Sequence, residues 1–251
     1  MIYIIEYTMM QYRAFLKFFC CSGVMCSVFF IGCFPSLVLS ESSAGLFNRV
    51  VQVDDMPIIY VTGFAPFQNY SVNPSEVMVN ILHNTSIANH RIVGRVLPVD
   101  FIEAPRIIQD DIKSLSPTLI VHLGLEADCR AITLELLSVN IMFEKTADNP
   151  LQTLHIIQKN GPFFIQTELQ IQEMYEELTQ KNIPVSLSVS AGLYVCNTVF
   201  YQTLFFLSEN QFNIPAGFIH LPLLSDEYQK GMEKDMMIEG IVSILLSNIE
   251  K

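Results

Sequence analysis

The chain has 251 residues, 51% hydrophobic and 16% charged, with a formal net charge of −11. That length suits one α/β domain with an extension, or two small domains, and the composition excludes a disordered chain. The acidic balance, with no block of Lys or Arg, argues against nucleic acid as a partner.

Residues 1–55 differ in kind from the rest. Phe18 to Ser40 contains no Asp, Glu, Lys, Arg or His and follows Arg13 and Lys17. It is long enough to span a bilayer, which takes about 20 residues, although Gly23, Gly32 and Pro35 weaken it as a long helix. Three readings stay open: a signal peptide with a small-residue site near Ser42-Ser43-Ala44, a membrane anchor, or an added leader before a domain beginning at Met56. The division is therefore a hydrophobic leader over 1–55 and a globular domain over 56–251, with a membrane as partner only if residues 18–40 are retained. Export would make Asn69-Tyr70-Ser71 a glycosylation acceptor within a loop assigned below to the substrate, which favours a cytoplasmic domain. Of the six cysteines, Cys20, Cys21, Cys26 and Cys33 lie in this leader. Cys129 and Cys196 show neither CxxC nor Cys/His ligand spacing. No disulfide framework, metal or cofactor is expected.

After the leader, strand and helix signals alternate. Residues 57–62 predict an apolar strand, followed by a turn-rich loop with two aromatics, Phe64 and Phe67. Asn73-Pro74-Ser75-Glu76 is a helix start, with Asn as N-cap and Pro at the first helical position, for a helix to about Leu82. A second strand is predicted over 91–98 and a helix over 101–115. The nearly continuous apolar run 118–125 predicts a central strand covered on both faces. Residues 131–142 are strand-like, 143–161 a loop or hairpin, and 167–179 an acidic helix. A strand over 185–189 feeds a helix that carries Cys196 to about Leu207. Residues 217–221 form a strand and 226–249 a closing helix. The alternation predicts a single three-layer α/β/α domain with a mostly parallel open sheet. There is no GxGxxG and no P-loop.

The segment Ser190-Ala191-Gly192-Leu193-Tyr194-Val195-Cys196-Asn197 runs from a loop into a helix. Backbone N–H groups at a helix start favour an anion, so a cysteine there suits a nucleophile, while a buried apolar cysteine is the plainer reading. A nucleophile needs a base, and the base an orienting group. There are five histidines. His83 and His90 lie in or after an exposed helix, His155 in the irregular region, and His122 inside the central strand, where it reads as a satisfied core residue. His220 stands at the carboxyl end of a strand, where open α/β sheets place their sites, and the loop before Cys196 is read as starting at such an end too. The orienting acid is open among Glu126, Asp128, Glu135, Glu144 and Asp148. Glu135 stands out as a lone carboxylate in an apolar strand, since a buried acid needs a partner.

Four blocks in order then make the set resemble the pyroglutamyl peptidase I family of cytosolic cysteine peptidases, across about residues 57–251. They are Val61-Thr62-Gly63-Phe64-Ala65-Pro66-Phe67 with Asn73-Pro74-Ser75; Val121-His122-Leu123-Gly124 through Thr133-Leu134-Glu135; the Cys196 segment; and Phe218-Ile219-His220-Leu221-Pro222. The resemblance implies Cys196 as nucleophile, His220 as general base and acid, and Glu135 as the residue orienting it. It implies Phe64 and Phe67 as aromatics flanking a pyrrolidone ring, with Tyr194 and Val195 lining the pocket. N-terminal pyroglutamyl peptides are the implied partners, and oligomerisation is left open. A planar neutral lactam suits apolar faces and a few backbone hydrogen bonds.

The chain also departs from the family pattern. Ala65 and Gln68-Asn69 replace common glycines, Leu125 replaces a glutamine, and Lys145 replaces an arginine found in many members. Lysine keeps the charge but loses the bidentate geometry, which bears on substrate positioning. The competing expectation is a weakly active or inactive relative that binds N-terminally blocked peptides.

Overall fold

The computed structural model describes residues 56–144, 153–229 and 231–249. The leader, including residues 18–40, and Lys145 lie outside the described residues. In chain order the described elements are β1 (Ile58–Phe64), α1 (Pro74–Leu82), β2 (Ser86–Ile87), β3 (His90–Leu97), α2 (Glu103–Leu115), β4 (Leu119–Leu125), β5 (Ile132–Glu135), β6 (Leu137–Val139), β7 (Ile141–Glu144) and β8 (Thr153–Ile156). They continue with β9 (Phe164–Gln166), α3 (Ile171–Gln180), β10 (Val185–Ser188), α4 (Val195–Glu209), β11 (Ala216–Leu221) and α5 (Lys234–Ile249).

Seven strands form one sheet in the order β10-β5-β11-β4-β1-β3-β2. β3, β1, β4 and β11 are parallel neighbours and make up its centre. β2 is antiparallel to β3. β5 is antiparallel to β11 and parallel to β10. The sheet is thus mixed and largely parallel. Its one departure from the expected pattern matters for the site. β10 points opposite to β11, so the carboxyl-end rule covers Phe64, Leu125 and His220 but not the loop leading to Cys196.

The side-chain period of two sorts the strands onto two cores. Ile59, Val61, Leu119, Val121, Leu123, Ile132, Leu134, Ile219 and Leu221 face one side. There they pack against Met78 and Val79 of α1, Met174 and Leu178 of α3, and Met237, Ile241 and Ile244 of α5. Tyr60, Phe64, Ile120 and Phe218 face the other side, covered by Ile108 and Ile112 of α2 and by Val195, Val199, Phe200 and Leu204 of α4. The result is the expected three-layer α/β/α arrangement. Glu135 and His220 alternate with the first set, so both project toward the layer that holds α4.

Local signals explain most element ends. Asn73 caps α1, its Oδ1 accepting from the Ser75 N–H at 3.1 Å, with Pro74 at the first position. α2 lacks a cap at Ile102, but Asp100 Oδ1 accepts from the N–H groups of Ile102 and Glu103 at 2.8 and 2.7 Å. The closing helix begins at Lys234 rather than 226. The chain before it folds back instead, with Leu224 bridging Met232 and the Met232 N–H donating to the Leu223 carbonyl at 2.8 Å. Gly231 permits that close approach, since a Cβ there would collide with the Leu224 backbone. The stretch 131–142 is not one strand but the start of three. Leu136 is the hand-over point: its N–H completes the β10 ladder on the Ser188 carbonyl at 2.8 Å, and its carbonyl accepts from the Thr167 N–H at 3.0 Å, after which β6 pairs with β9 and β7 pairs antiparallel with β8.

Candidate active site

Cys196 is the second residue of α4 and is half-buried. No side chain caps this helix, whose N-cap Tyr194 is extended, so its first N–H groups remain available to an anion. The helix start is pinned to β6 and β7 by Asn197. Its Oδ1 accepts from the Val139 N–H, and its Nδ2 donates to the Val139 and Ile141 carbonyls, each at 2.9 Å. The Phe143 N–H also donates to the Leu193 carbonyl at 2.7 Å, tying the preceding loop to β7. Gly124 of β4 makes room for the sulfur: a Cβ there would lie 3.2 Å from Cys196 Sγ and 2.7 Å from the Phe218 ring.

His220 pairs in register with Gly124 across β11 and β4. Its Nδ1 lies 2.7 Å from Glu135 Oε1, a bond between residues on antiparallel neighbours β11 and β5. The histidine is 6% exposed and the glutamate 1%. Burial by itself lowers the imidazolium pKa. The interaction with Cys196 and then the bond to Glu135, with the charges of both, outweigh it and raise the His220 pKa to about 10. At neutral pH the ring therefore holds two protons beside the carboxylate. Glu135 Oε2 is buried with no hydrogen-bond partner among the described residues. An unpaired buried oxygen costs about 1–3 kcal/mol, so this carboxylate stands where stability alone would not put it.

His122, two residues before Gly124 on the same face, is wholly buried between hydroxyls. Thr62 Oγ1 lies 2.7 Å from Nδ1 and Thr203 Oγ1 3.0 Å from Nε2. Burial pushes its pKa down to about 3, so it is neutral. The expected core role fits this setting.

A cleft of about 290 Å³ opens beside Cys196 and His220. Phe64, Phe67, Tyr194 and Val195 all line it. Phe64 and Val195 are buried, while Tyr194 is 39% exposed and meets Phe101 edge-on at 5.2 Å. The loop carrying the two phenylalanines is held by α1. The Phe64 N–H donates to Ser75 Oγ at 2.9 Å, and Asn73 Nδ2 donates to the Ala65 carbonyl at 3.2 Å. Phe67 stacks obliquely on Tyr70, which meets Tyr228 from the chain beyond β11. Lys145 lies outside the described residues, ahead of β8 and beyond β7.

Asn73, a helix cap by pattern and part of the first family block, also lines the cleft and fixes the aromatic loop. Asn197 has no local sequence signal, yet next to Cys196 it anchors the helix start. Glu126 stood among candidate acids for orienting the histidine. That contact is made by Glu135, and Glu126 instead lies exposed at the cleft wall. Glu126, Glu135 and His220 each bring one ligand atom within 4.8 Å of the others. A cation there would have to compete with the bond that His220 and Glu135 already make. Among the described residues no helix is long and apolar enough to cross a membrane.

The site can be set beside known proteins. The sequence profile of the family described as pyroglutamyl peptidase matches residues 57–251. A pyrrolidone-carboxylate peptidase of Halalkalibacterium halodurans is 35% identical over 167 residues, covering 66% of this chain and 83% of that protein. Pyrrolidone-carboxylate peptidase 1 of Ralstonia nicotianae is 33% identical over 195 residues, covering 74% and 90%. The solved pyrrolidone carboxyl peptidase from Thermococcus litoralis aligns with a TM-score of 0.73 at 28% identity, covering 78% of this chain and 94% of that one. Pyroglutamyl peptidase I from Bacillus amyloliquefaciens aligns with a TM-score of 0.73 at 26% identity, covering 78% and 96%.

Proposed function

The chain belongs to the pyroglutamyl peptidase family, and on that premise we propose that it is a cysteine exopeptidase hydrolysing the amide bond after an N-terminal pyroglutamate. The observation that carries this reading is the 2.7 Å bond between His220 and Glu135 at the wall of a cleft that also holds Cys196. With Nδ1 engaged by Glu135, Nε2 is the nitrogen left to serve the sulfur and the substrate.

In the proposed reaction the Cys196 thiolate attacks the pyroglutamyl carbonyl carbon. The oxyanion is held by N–H groups at the start of α4. His220 gives a proton to the leaving nitrogen as the C–N bond breaks, releasing the shortened peptide and leaving a thioester. Water then adds to the thioester, His220 takes its proton, and the C–S bond breaks to return the thiolate and free pyroglutamate. Glu135 acts through His220 by orienting the ring and stabilising its charge. Phe64 and Phe67 flank the lactam ring, with Tyr194 and Val195 closing the pocket, and Lys145 belongs to the same substrate-binding set. Residues 56–251 are the catalytic unit in this reading, and a reducing cytoplasm suits its free thiol.

The test is hydrolysis of pyroglutamyl-aminomethylcoumarin by the full chain and by Cys196→Ala. The expected result is turnover by the first and loss of at least about 10³-fold in the second. Binding of pyroglutamyl peptides by folded protein without turnover would return the chain to the alternative of a binding relative.

A further inference from the structure

Glu126 is the one carboxylate among the described residues that line the cleft. It is exposed, and among the described residues its carboxylate makes no ion pair. Its position is fixed by the backbone. The Glu126 N–H donates to the Leu221 carbonyl at 3.0 Å, and its own carbonyl accepts from the Cys129 N–H at 3.2 Å. It therefore stands where β4 and β11 end side by side, and its carboxylate comes within 4.8 Å of the His220 ring and the Glu135 carboxylate. The charge on His220 is already met by Glu135 and by Cys196. Glu126 adds an exposed negative charge to the cleft lining beside the His220–Glu135 pair.

We propose that Glu126 selects the residue that follows pyroglutamate, favouring a cationic side chain and disfavouring an anionic one. The inference rests on the peptidase reading above. In that reaction the leaving nitrogen must approach His220 to take its proton, so the residue bearing that nitrogen is brought alongside Glu126. The opposite, pyroglutamyl end is assigned to the apolar surfaces of Phe64 and Phe67, which carry no charge and make no such distinction. An exposed carboxylate acts on a neighbouring charge weakly, by a few-fold for each sign, and less in salt.

The experiment competes pyroglutamyl-lysinamide, pyroglutamyl-alaninamide and pyroglutamyl-glutamic acid α-amide on the full chain and reads the kcat/KM ratios from the released amines. The lysine substrate is expected to exceed the glutamate one about 10-fold in low salt, with the ratio shrinking in 0.5 M NaCl. Glu126→Gln brings the ratio below about 3-fold and Glu126→Lys inverts it. Glu177→Gln, a change on the distant helix α3, leaves the ratio as it was and excludes an effect of net charge alone. Turnover with a ratio that Glu126→Gln does not move overturns the assignment and leaves the peptidase reading standing. No turnover of any of the three substrates by folded protein overturns both.

Discussion

His122 and His220 lie on neighbouring parallel strands, on the same face and under the same helix, yet their surroundings drive them to opposite states. His122 is opposite Phe218 in register, and His220 is opposite Gly124. The first is enclosed by two threonine hydroxyls, which satisfy a neutral ring and offer nothing to a charged one. The second faces a carboxylate and a sulfur, which hold the extra proton in place. Burial is nearly equal at the two sites, at 0% and 6% exposure, so burial does not separate structural from chemical histidines here. What separates them is the charge of the hydrogen-bond partner.

Exchange of each histidine tests that contrast most directly. His220→Asn is expected to lower kcat/KM for pyroglutamyl-aminomethylcoumarin by at least about 10³-fold per folded molecule, well beyond any loss of folded protein that urea unfolding shows. His122→Ala should act on stability and leave the chemistry nearly intact. It strands the Thr62 and Thr203 hydroxyls in the core and costs about 3 kcal/mol in urea unfolding, with activity per folded molecule within about 3-fold of the parent. An activity loss at His122 that exceeds the loss of folded protein would break the division. Glu135→Gln sharpens it from the partner's side. The amide still meets the ring but carries no charge, so activity is expected to fall about 10²-fold. The alkaline limb of the rate profile should also move to lower pH, as the His220 pKa drops back toward the ordinary histidine value.

Stability against pH tests the same contrast, and the two histidines should bend the curve in opposite directions. His220 is raised to about 10. Its folded form binds the proton more tightly than the unfolded chain, so its contribution is complete below about pH 6.5 and is lost as pH rises toward 10. His122 is lowered to about 3. Its contribution is complete above about pH 6.5 and is lost progressively as pH falls toward that lower value. Urea midpoints measured from pH 4 to 9.5 for the parent, His122→Ala and His220→Asn would show it. Each variant should flatten only its own side of the curve.

Much of this was legible from the amino acids in order. The Asn73-Pro74 cap, the apolar run of β4 and the helix entry at Cys196 are local signals, written within a few residues and read from a few residues. The misjudged places share a different property. The strand-like stretch 131–142 breaks into β5, β6 and β7 because the chain changes partners after Leu136, leaving β10 for β9 and then β8, all far along the sequence. The closing helix starts late because Met232 bridges back to Leu224. Asn197 and Glu126 gain their places from contacts to other elements that no local pattern announces.

The linear chain by itself determined the kinds of element, the alternation that sorts each strand onto two faces, and the residue types able to carry a thiol reaction. It did not decide that β5 and β10 run against the parallel set, and, the family resemblance aside, it left open which of five acids and five histidines touch; the fold brings Glu135 and His220 together. Those outcomes belong to strand order and register. Both are settled by the joint packing of two helical layers on one sheet, where residues 85 apart in the chain come within hydrogen-bonding distance.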